Sequence, residues 1–210
     1  MSGFLFFASL QSPYCYFALD RLEALRRRGW RVELRPVAPG ILRLPDLFRD
    51  RPEIEQRYFA TDVSRTAAFL GLPYAEADPY PVAMRPGTLY QAAEAQPRID
   101  RLHGLLHLAV RAGCGFEVYA ALMRLIWSGK TGGWDGSGAL DALAARFALD
   151  LPPARRDPAT EALLAENHAA LLAAGHWGVP CFVFEDEAFY GQDRIDQLVW
   201  RLDSGGRGTA

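Results

Sequence analysis

The chain has 210 residues, with 23 Lys+Arg against 25 Asp+Glu and a formal net charge of −2, which excludes the basic footprint of a nucleic-acid-binding protein. Hydrophobic residues make up 50% of the chain, enough to bury a core and to exclude disorder as the default state. The three cysteines form no CxxC pair, which argues against both a secreted disulfide framework and a structural zinc site.

The first 36 residues have the pattern of a strand, a helix and a second strand. Residues 4–8 are an apolar, aromatic run that predicts a buried strand. Ser12 and Pro13 then fit the N-cap and first position of a helix, and Gly29 after three arginines fits its end. Apolar and charged residues alternate over residues 30–36, as in a half-buried strand. This order predicts a parallel β-α-β unit.

The middle of the chain has a helical pattern. It covers residues 47–130 and is interrupted by a proline-rich segment at 73–86. Two further helices are predicted at 138–147 and 157–174, the second with a proline near its start and a glycine after its end.

Strand character returns near the end of the chain. Residues 181–184 and 188–190 predict a hairpin around an acidic turn, and a helix follows from 191. Strands at both ends with helices between them predict a thioredoxin-like α/β fold with an inserted helical domain. We expect residues 1–40 and 175–203 to form the thioredoxin-like domain, 41–174 the mainly helical insertion, and 204–210 a disordered tail.

The apolar start of the chain lacks the basic region of a signal peptide. No run approaches the ~18 uncharged apolar residues that a membrane span needs. We therefore expect a cytoplasmic protein that binds neither membrane nor nucleic acid.

Two segments resemble the 2-hydroxychromene-2-carboxylate isomerase family, which belongs with kappa-class glutathione transferases to the DsbA-like thioredoxin superfamily. The first segment is Ser12-Pro13-Tyr14-Cys15-Tyr16-Phe17-Ala18. The second is Gly178-Val179-Pro180-Cys181-Phe182-Val183, followed by Tyr190-Gly191-Gln192-Asp193-Arg194-Ile195. The two segments lie near opposite ends of the chain and in the family's order.

The resemblance implies glutathione as the cofactor, a small aromatic molecule as the substrate and a homodimer as the assembly. It implies a cis bond between Val179 and Pro180, which would present the Val179 backbone to a peptide-like ligand. It also implies that Gln192, Asp193 and Arg194 form a turn that helps to hold glutathione. The proline-rich aromatic stretch at 74–90 is a candidate wall of the substrate pocket.

Ser12 is the candidate catalytic residue. In the implied fold it stands at a helix N-terminus, where oxidoreductases have a cysteine whose thiolate the helix end stabilises. A serine there can instead donate a hydrogen bond to the thiolate of glutathione. The alternative is that Ser12 only caps the helix, and Asp193 has the same alternative at the last helix.

Two other patterns are weaker. Cys15 stands where a dithiol motif has its second cysteine, but the serine at position 12 argues against a redox role. His103 and His107 share one helix face without a third ligand in the sequence pattern, so we predict no metal site.

These features predict a glutathione-dependent isomerase that acts on aromatic 2-oxo or hemiketal acids. One alternative is a kappa-type glutathione transferase, in which the adduct is the product. Another is a non-catalytic thioredoxin-like module that binds peptides or glutathione.

Overall fold

A computed structural model describes residues 3–49, 51–88, 90–136 and 138–205. These residues form one four-stranded sheet in the order β2-β1-β3-β4. Strand β1 pairs in parallel with β2 and antiparallel with β3, and β3 pairs antiparallel with β4. The strands are β1 Gly3–Ala8, β2 Arg31–Pro36, β3 Cys181–Phe184 and β4 Glu187–Tyr190.

The described residues also form ten α-helices and one 3-10 turn. The helices are α1 Pro13–Phe17, α2 Leu19–Arg27, α3 Gly40–Arg43, α4 Pro45–Arg49, α5 Glu53–Leu70, α6 Pro97–Arg111, α7 Gly115–Trp127, α8 Ala139–Arg146, α9 Pro158–Ala173 and α10 Ile195–Asp203. The 3-10 turn, Gln192–Arg194, comes immediately before α10. This architecture confirms the predicted thioredoxin-like α/β fold.

The sheet buries different side chains on its two faces because strand side chains alternate. Phe4 and Phe6 of β1 point to the face covered by α1, α2, α6, α7 and α10. Phe7 points to the other face, where Leu171 of α9 packs against Val183 of β3. Helix α9 therefore completes the core on the second face of the sheet.

The predicted β-α-β unit at the start of the chain is confirmed. The predicted single helix is divided at Ala18 into α1 and α2. Gly29 lies at φ 93° just after α2, a conformation that glycine adopts without the steric cost of a side chain.

The middle of the chain is helical, as predicted. The structure differs from the prediction before α5 and in the proline-rich segment after it. The short helix α3 was not predicted, and α4 begins two residues before the predicted helical stretch. The proline-rich segment extends over residues 71–96, and an isolated bridge between Met84 and Ala92 is its one β-pairing among the residues described there. A cis bond between Asp78 and Pro79 lies in the same stretch.

The C-terminal hairpin is confirmed and its turn is explained by backbone geometry. Glu185 and Asp186 both have positive φ, 47° and 66°, as in the two-residue turns that match strand twist. Of the tail predicted to be disordered, Ser204 and Gly205 form a turn after α10, and residues 206–210 lie outside the described part.

The division into a discontinuous thioredoxin-like domain and an insertion at 41–174 stays a prediction. In the described ranges, no helix combines the length and the apolar character needed to cross a bilayer.

Candidate active site

The predicted site lies at the edge of the sheet where β1 and β2 end. Parallel strands place their carboxyl ends at one edge, so α1 after β1 and α3 after β2 both begin there. Strand β3 runs the other way, and its first residue, Cys181, pairs with Phe7 near the same edge. Ser12, Arg43 and the Val179–Pro180 bond are thus brought together by topology.

Ser12 is the N-cap of α1, as predicted. Its backbone is extended, with φ −93° and ψ 111°, and its Oγ accepts a hydrogen bond from the Cys15 N–H at 3.4 Å. Pro13 occupies the first helical position, where a missing N–H costs nothing. Ser12 therefore caps the helix, and because its Oγ acts only as an acceptor in that bond, its hydroxyl proton can still donate elsewhere.

The peptide bond between Val179 and Pro180 is cis, as the resemblance implied. The Gly191 N–H donates to the Pro180 carbonyl at 2.9 Å and fixes the loop against the end of β4. Neither the N–H nor the C=O of Val179 has a backbone partner among the described residues. That geometry suits pairing with a peptide-like ligand.

Ser12 and Val179 line one cavity of about 220 Å³. Seven of its lining residues are aromatic, a feature typical of sites for small apolar or aromatic ligands. The aromatic lining residues are Tyr14, Phe48, Phe59, Tyr80, Tyr90, Trp177 and Tyr190. Of the predicted wall at 74–90, Tyr80 and Tyr90 face this cavity.

Two tyrosines of the cavity are engaged in hydrogen bonds. The Tyr14 hydroxyl donates to Asp62 at 2.6 Å, and this bond lowers the pKa of the Asp62 carboxyl. Burial raises the pKa of Tyr14. The Tyr80 hydroxyl accepts from the side-chain amide of Gln11 at 3.3 Å, and burial raises the Tyr80 pKa to about 12. Both phenols stay neutral at physiological pH.

Arg43 is the main residue that the sequence analysis missed. Its Nε donates to the Ala38 carbonyl at 2.9 Å and its Nη2 to the Trp177 carbonyl at 2.7 Å. The third nitrogen, Nη1, is buried without a hydrogen-bond partner among the described residues. Burial lowers the pKa of Arg43 to about 10, so the guanidinium remains charged at neutral pH. A buried cation with an unused donor beside a cavity favours an anionic ligand.

A second cation, Arg51, lines the cavity. Its guanidinium carbon lies 4.5 Å from the centroid of the Phe48 ring, and its Nε lies 3.8 Å from a carboxylate oxygen of Glu55. No carboxylate is among the described residues that line the cavity. The charge of the cavity wall is therefore positive.

The proposed glutathione turn is close to the site but outside the cavity lining. Gln192, Asp193 and Arg194 form the 3-10 turn, which lies against α1. The prediction that Asp193 is an N-cap is wrong, because its side chain caps neither the 3-10 turn nor α10. The Asp193 carboxylate instead accepts from Arg194 at 2.5 Å and is largely exposed. Asp196, three residues further on, pairs with Arg21.

The two cysteines near the site are buried. Burial raises the pKa of the Cys15 thiol and that of the Cys181 thiol to about 11 each. Thiols with such pKa values are protonated at neutral pH and react slowly in disulfide exchange. Cys181 packs beside Phe7 and Leu171 as a small apolar side chain.

Replacing Cys15 by alanine should leave turnover within about threefold of the wild type, since its buried thiol is protonated. The measurement is kcat/KM with glutathione present, together with thermal unfolding to show that the variant folds. Loss of activity in a folded Cys15→Ala variant, or insulin reduction by the wild type that requires Cys15, would overturn this reading.

The two histidines of the pair lie in different surroundings. His103 is buried, which lowers its pKa to about 4. The Nδ1 of His107 lies 2.9 Å from the Thr160 hydroxyl. Within the described ranges, no group of three or more His, Cys, Asp or Glu side chains is placed to hold a metal ion.

Several solved structures have a fold similar to that of this chain. The chain matches 2-hydroxychromene-2-carboxylate isomerase with 17% identity and a TM-score of 0.59, over 98% of this chain and 100% of that chain. A probable DsbA oxidoreductase from Streptomyces coelicolor matches with 18% identity and a TM-score of 0.60, over 100% and 93%. The cytosolic disulfide reductase DsbM from Pseudomonas aeruginosa, solved with GSH, matches with 15% identity and a TM-score of 0.55, over 97% and 98%.

At these identities the likeness is one of fold. No match was found among the curated proteins compared with the chain. The family model of the DSBA-like thioredoxin domain matches residues 5–203, which is nearly the whole chain. The chain therefore belongs to the DSBA-like thioredoxin domain family.

Proposed function

We propose that this protein is a glutathione-dependent isomerase of aromatic 2-oxo or hemiketal acids, of the 2-hydroxychromene-2-carboxylate isomerase type. The observation that carries the proposal is one cavity that combines Ser12, the Val179 backbone, aromatic walls and two arginines, with no carboxylate among the described residues that line it. A serine at position 12 and a buried Cys15 make disulfide exchange a poorer fit to the same cavity.

The described residues fit glutathione. The unpaired backbone of Val179 suits its cysteinyl unit, and the exposed carboxylate of Asp193 can accept a hydrogen bond from its ammonium group. When bound, glutathione would supply a thiolate nucleophile for reversible addition to a conjugated double bond of the substrate, and it would be regenerated unchanged.

Ser12 stabilises that thiolate in the proposed mechanism. An ordinary cysteine thiol has a pKa of about 8.5, so most of it is protonated at neutral pH. The Ser12 hydroxyl can donate one hydrogen bond to the sulfur. Pro13 has no N–H and the Cys15 N–H already donates to Ser12, so the Tyr14 N–H, which has no acceptor among the described residues, is the backbone donor left at this positive end of α1. Both effects favour the charged form of the thiol.

Arg43 binds the carboxylate of the substrate. Two of its nitrogens are fixed by the Ala38 and Trp177 carbonyls, so its unpartnered Nη1 is held in place. A guanidinium held in this way loses little conformational entropy when an anion binds. The aromatic walls then pack against the ring of the substrate.

A mass balance on glutathione tests the proposed function. The protein is incubated with glutathione and a panel of aromatic enone acids, and substrate, product and free glutathione are quantified. An isomerase returns all of the glutathione while substrate isomerises. Consumption of one glutathione per turnover would instead identify a kappa-type transferase. Binding of glutathione without turnover on any acid would identify a non-catalytic module.

Asp193→Ala should weaken glutathione binding about tenfold. A hydrogen bond to a charged group is worth ~1.5–3 kcal/mol, and the lower end applies because Asp193 is exposed. Because Asp193 caps no helix, thermal stability without ligand should be unchanged. Asp196→Ala, which removes another exposed carboxylate nearby, is the matched control for titration calorimetry. Equal affinity in Asp193→Ala and Asp196→Ala would remove Asp193 from the site.

A further inference from the structure

We propose that His176 is a positioning residue that holds the Val179 loop for ligand only while its imidazole is neutral. The site therefore loses affinity for glutathione as the pH falls and His176 becomes protonated. This inference rests on the proposed function, because it concerns the same glutathione site.

The loop before Pro180 is fixed at two points. The Gly178 N–H donates to the Nδ1 of His176 at 2.8 Å, and the Trp177 carbonyl accepts from Arg43. These bonds hold the residues immediately before Val179, whose own backbone is the proposed contact with ligand.

The His176 ring also packs on a wall of the cavity. It stacks on Tyr190, with 3.8 Å between ring centroids and 22° between planes. Gly178 lies beneath this stack, where an added Cβ would collide with the Tyr190 ring and lie 2.9 Å from Cε1 of His176. One imidazole thus sets both the Gly178 backbone and the position of the Tyr190 side chain.

Protonation removes the acceptor in this arrangement. The neutral ring accepts the Gly178 N–H at Nδ1 and carries its own proton on Nε2. In the charged form both ring nitrogens are donors, so Nδ1–H would face the Gly178 N–H. Gly178 is buried, and its N–H would then lack its acceptor unless the loop moved. The neutral form of His176 therefore favours the loop conformation that binds glutathione, and the affinity for glutathione falls as the pH falls.

Several titratable groups surround this position and must be separated from His176. Tyr190 of β4 stays neutral, because burial raises its pKa, and the charges of Arg51 and Asp193 act on it. Arg43 of α3 reaches the loop at Trp177. His168 of α9 feels the charge of Arg43, and its pKa is lowered, mainly by burial. Of these groups, His168 could also cause a loss of ligand affinity as the pH falls, so the test must distinguish it from His176.

The test measures binding of S-methylglutathione by calorimetry between pH 5 and 8. The methyl group removes the titration of the ligand thiol. Wild-type affinity should fall at least fivefold from pH 8 to pH 5, with a midpoint between the NMR titration midpoints of His176 in the free and the ligand-bound protein. His176→Asn keeps an acceptor for the Gly178 N–H but does not titrate. It should bind within twofold of the wild type at pH 8 and lose the fall at low pH.

His176→Phe keeps an aromatic ring on Tyr190 without an acceptor, so it should bind at least fivefold more weakly throughout and without the low-pH fall. A flat wild-type profile, or the same fall in His176→Asn, would overturn the role of His176. Absence of S-methylglutathione binding at every pH would instead contradict the proposed function. One measurement needs no variant: ligand should move the NMR titration of His176 in the wild type to lower pH, since linkage is reciprocal.

Discussion

Replacing Ser12 by alanine should lower kcat/KM at pH 7 by tenfold or more, with partial recovery as the pH rises. The lost hydrogen bond to a thiolate is worth ~1.5–3 kcal/mol, which corresponds to about one to two pKa units. The bound thiol would then be mostly protonated at pH 7, and raising the pH restores the reactive form. The measurement is the pH profile of kcat/KM with saturating glutathione.

The same change also removes a helix cap, which costs about 1 kcal/mol of stability. Asp157→Ala is a matched control, because Asp157 caps α9 by accepting from the Thr160 N–H at 2.8 Å and does not line the cavity. It should lose a similar amount of stability and keep its pH profile. If Ser12→Ala behaved like Asp157→Ala, Ser12 would be a cap and nothing more.

Arg43→Gln should raise KM for an acidic aromatic substrate by about tenfold to a hundredfold. The variant removes a lining charge whose Nη1 is buried without a hydrogen-bond partner among the described residues, and a charged hydrogen bond is worth ~1.5–3 kcal/mol. The methyl ester of the same substrate should be affected by less than threefold, because it has no anion for Arg43 to bind. The ratio of the two effects is the measurement.

Arg98→Gln controls for the loss of a backbone contact. Arg98 donates its Nε to the Tyr80 carbonyl at 2.9 Å, as Arg43 does to Ala38, but it does not line the cavity. Arg98→Gln should change KM for the acid and for its methyl ester by the same factor. An equal loss for acid and ester in a folded Arg43→Gln variant would show that Arg43 only supports the loop at Trp177.

The sequence predicted the parts of the fold that depend on local pattern. The alternation over residues 30–36, the serine-proline pair at 12–13 and the glycine at 29 each have a short-range cause, and each prediction is confirmed. The break between α1 and α2 was missed, since no proline or glycine marks Ala18.

The candidate site was predicted only where motifs mark it. Ser12 and Val179 come from the two motifs, and the structure places both on one cavity. Arg43 was missed because its role depends on the carbonyl of Trp177, which is distant in the sequence, as well as on the nearby carbonyl of Ala38. An arginine in a short segment after the second strand was the only signal in the sequence.

The error at Asp193 has a similar origin. Aspartate is a favoured N-cap residue, and the position of Asp193 just before the apolar positions of the last helix predicted a cap. In the fold a 3-10 turn precedes α10, and the Asp193 side chain turns back toward Gly191 and pairs with Arg194. The carboxylate is thereby left available at the surface beside α1.

Titration of the bound glutathione thiol tests the central claim most directly. Thiolate difference absorbance is recorded against pH for glutathione on the wild type, on Ser12→Ala and free in solution. We predict a midpoint on the wild type well below that of free glutathione, and a midpoint about one to two units higher on Ser12→Ala. Identical titrations for wild-type-bound and free glutathione would contradict the claim that this site activates glutathione.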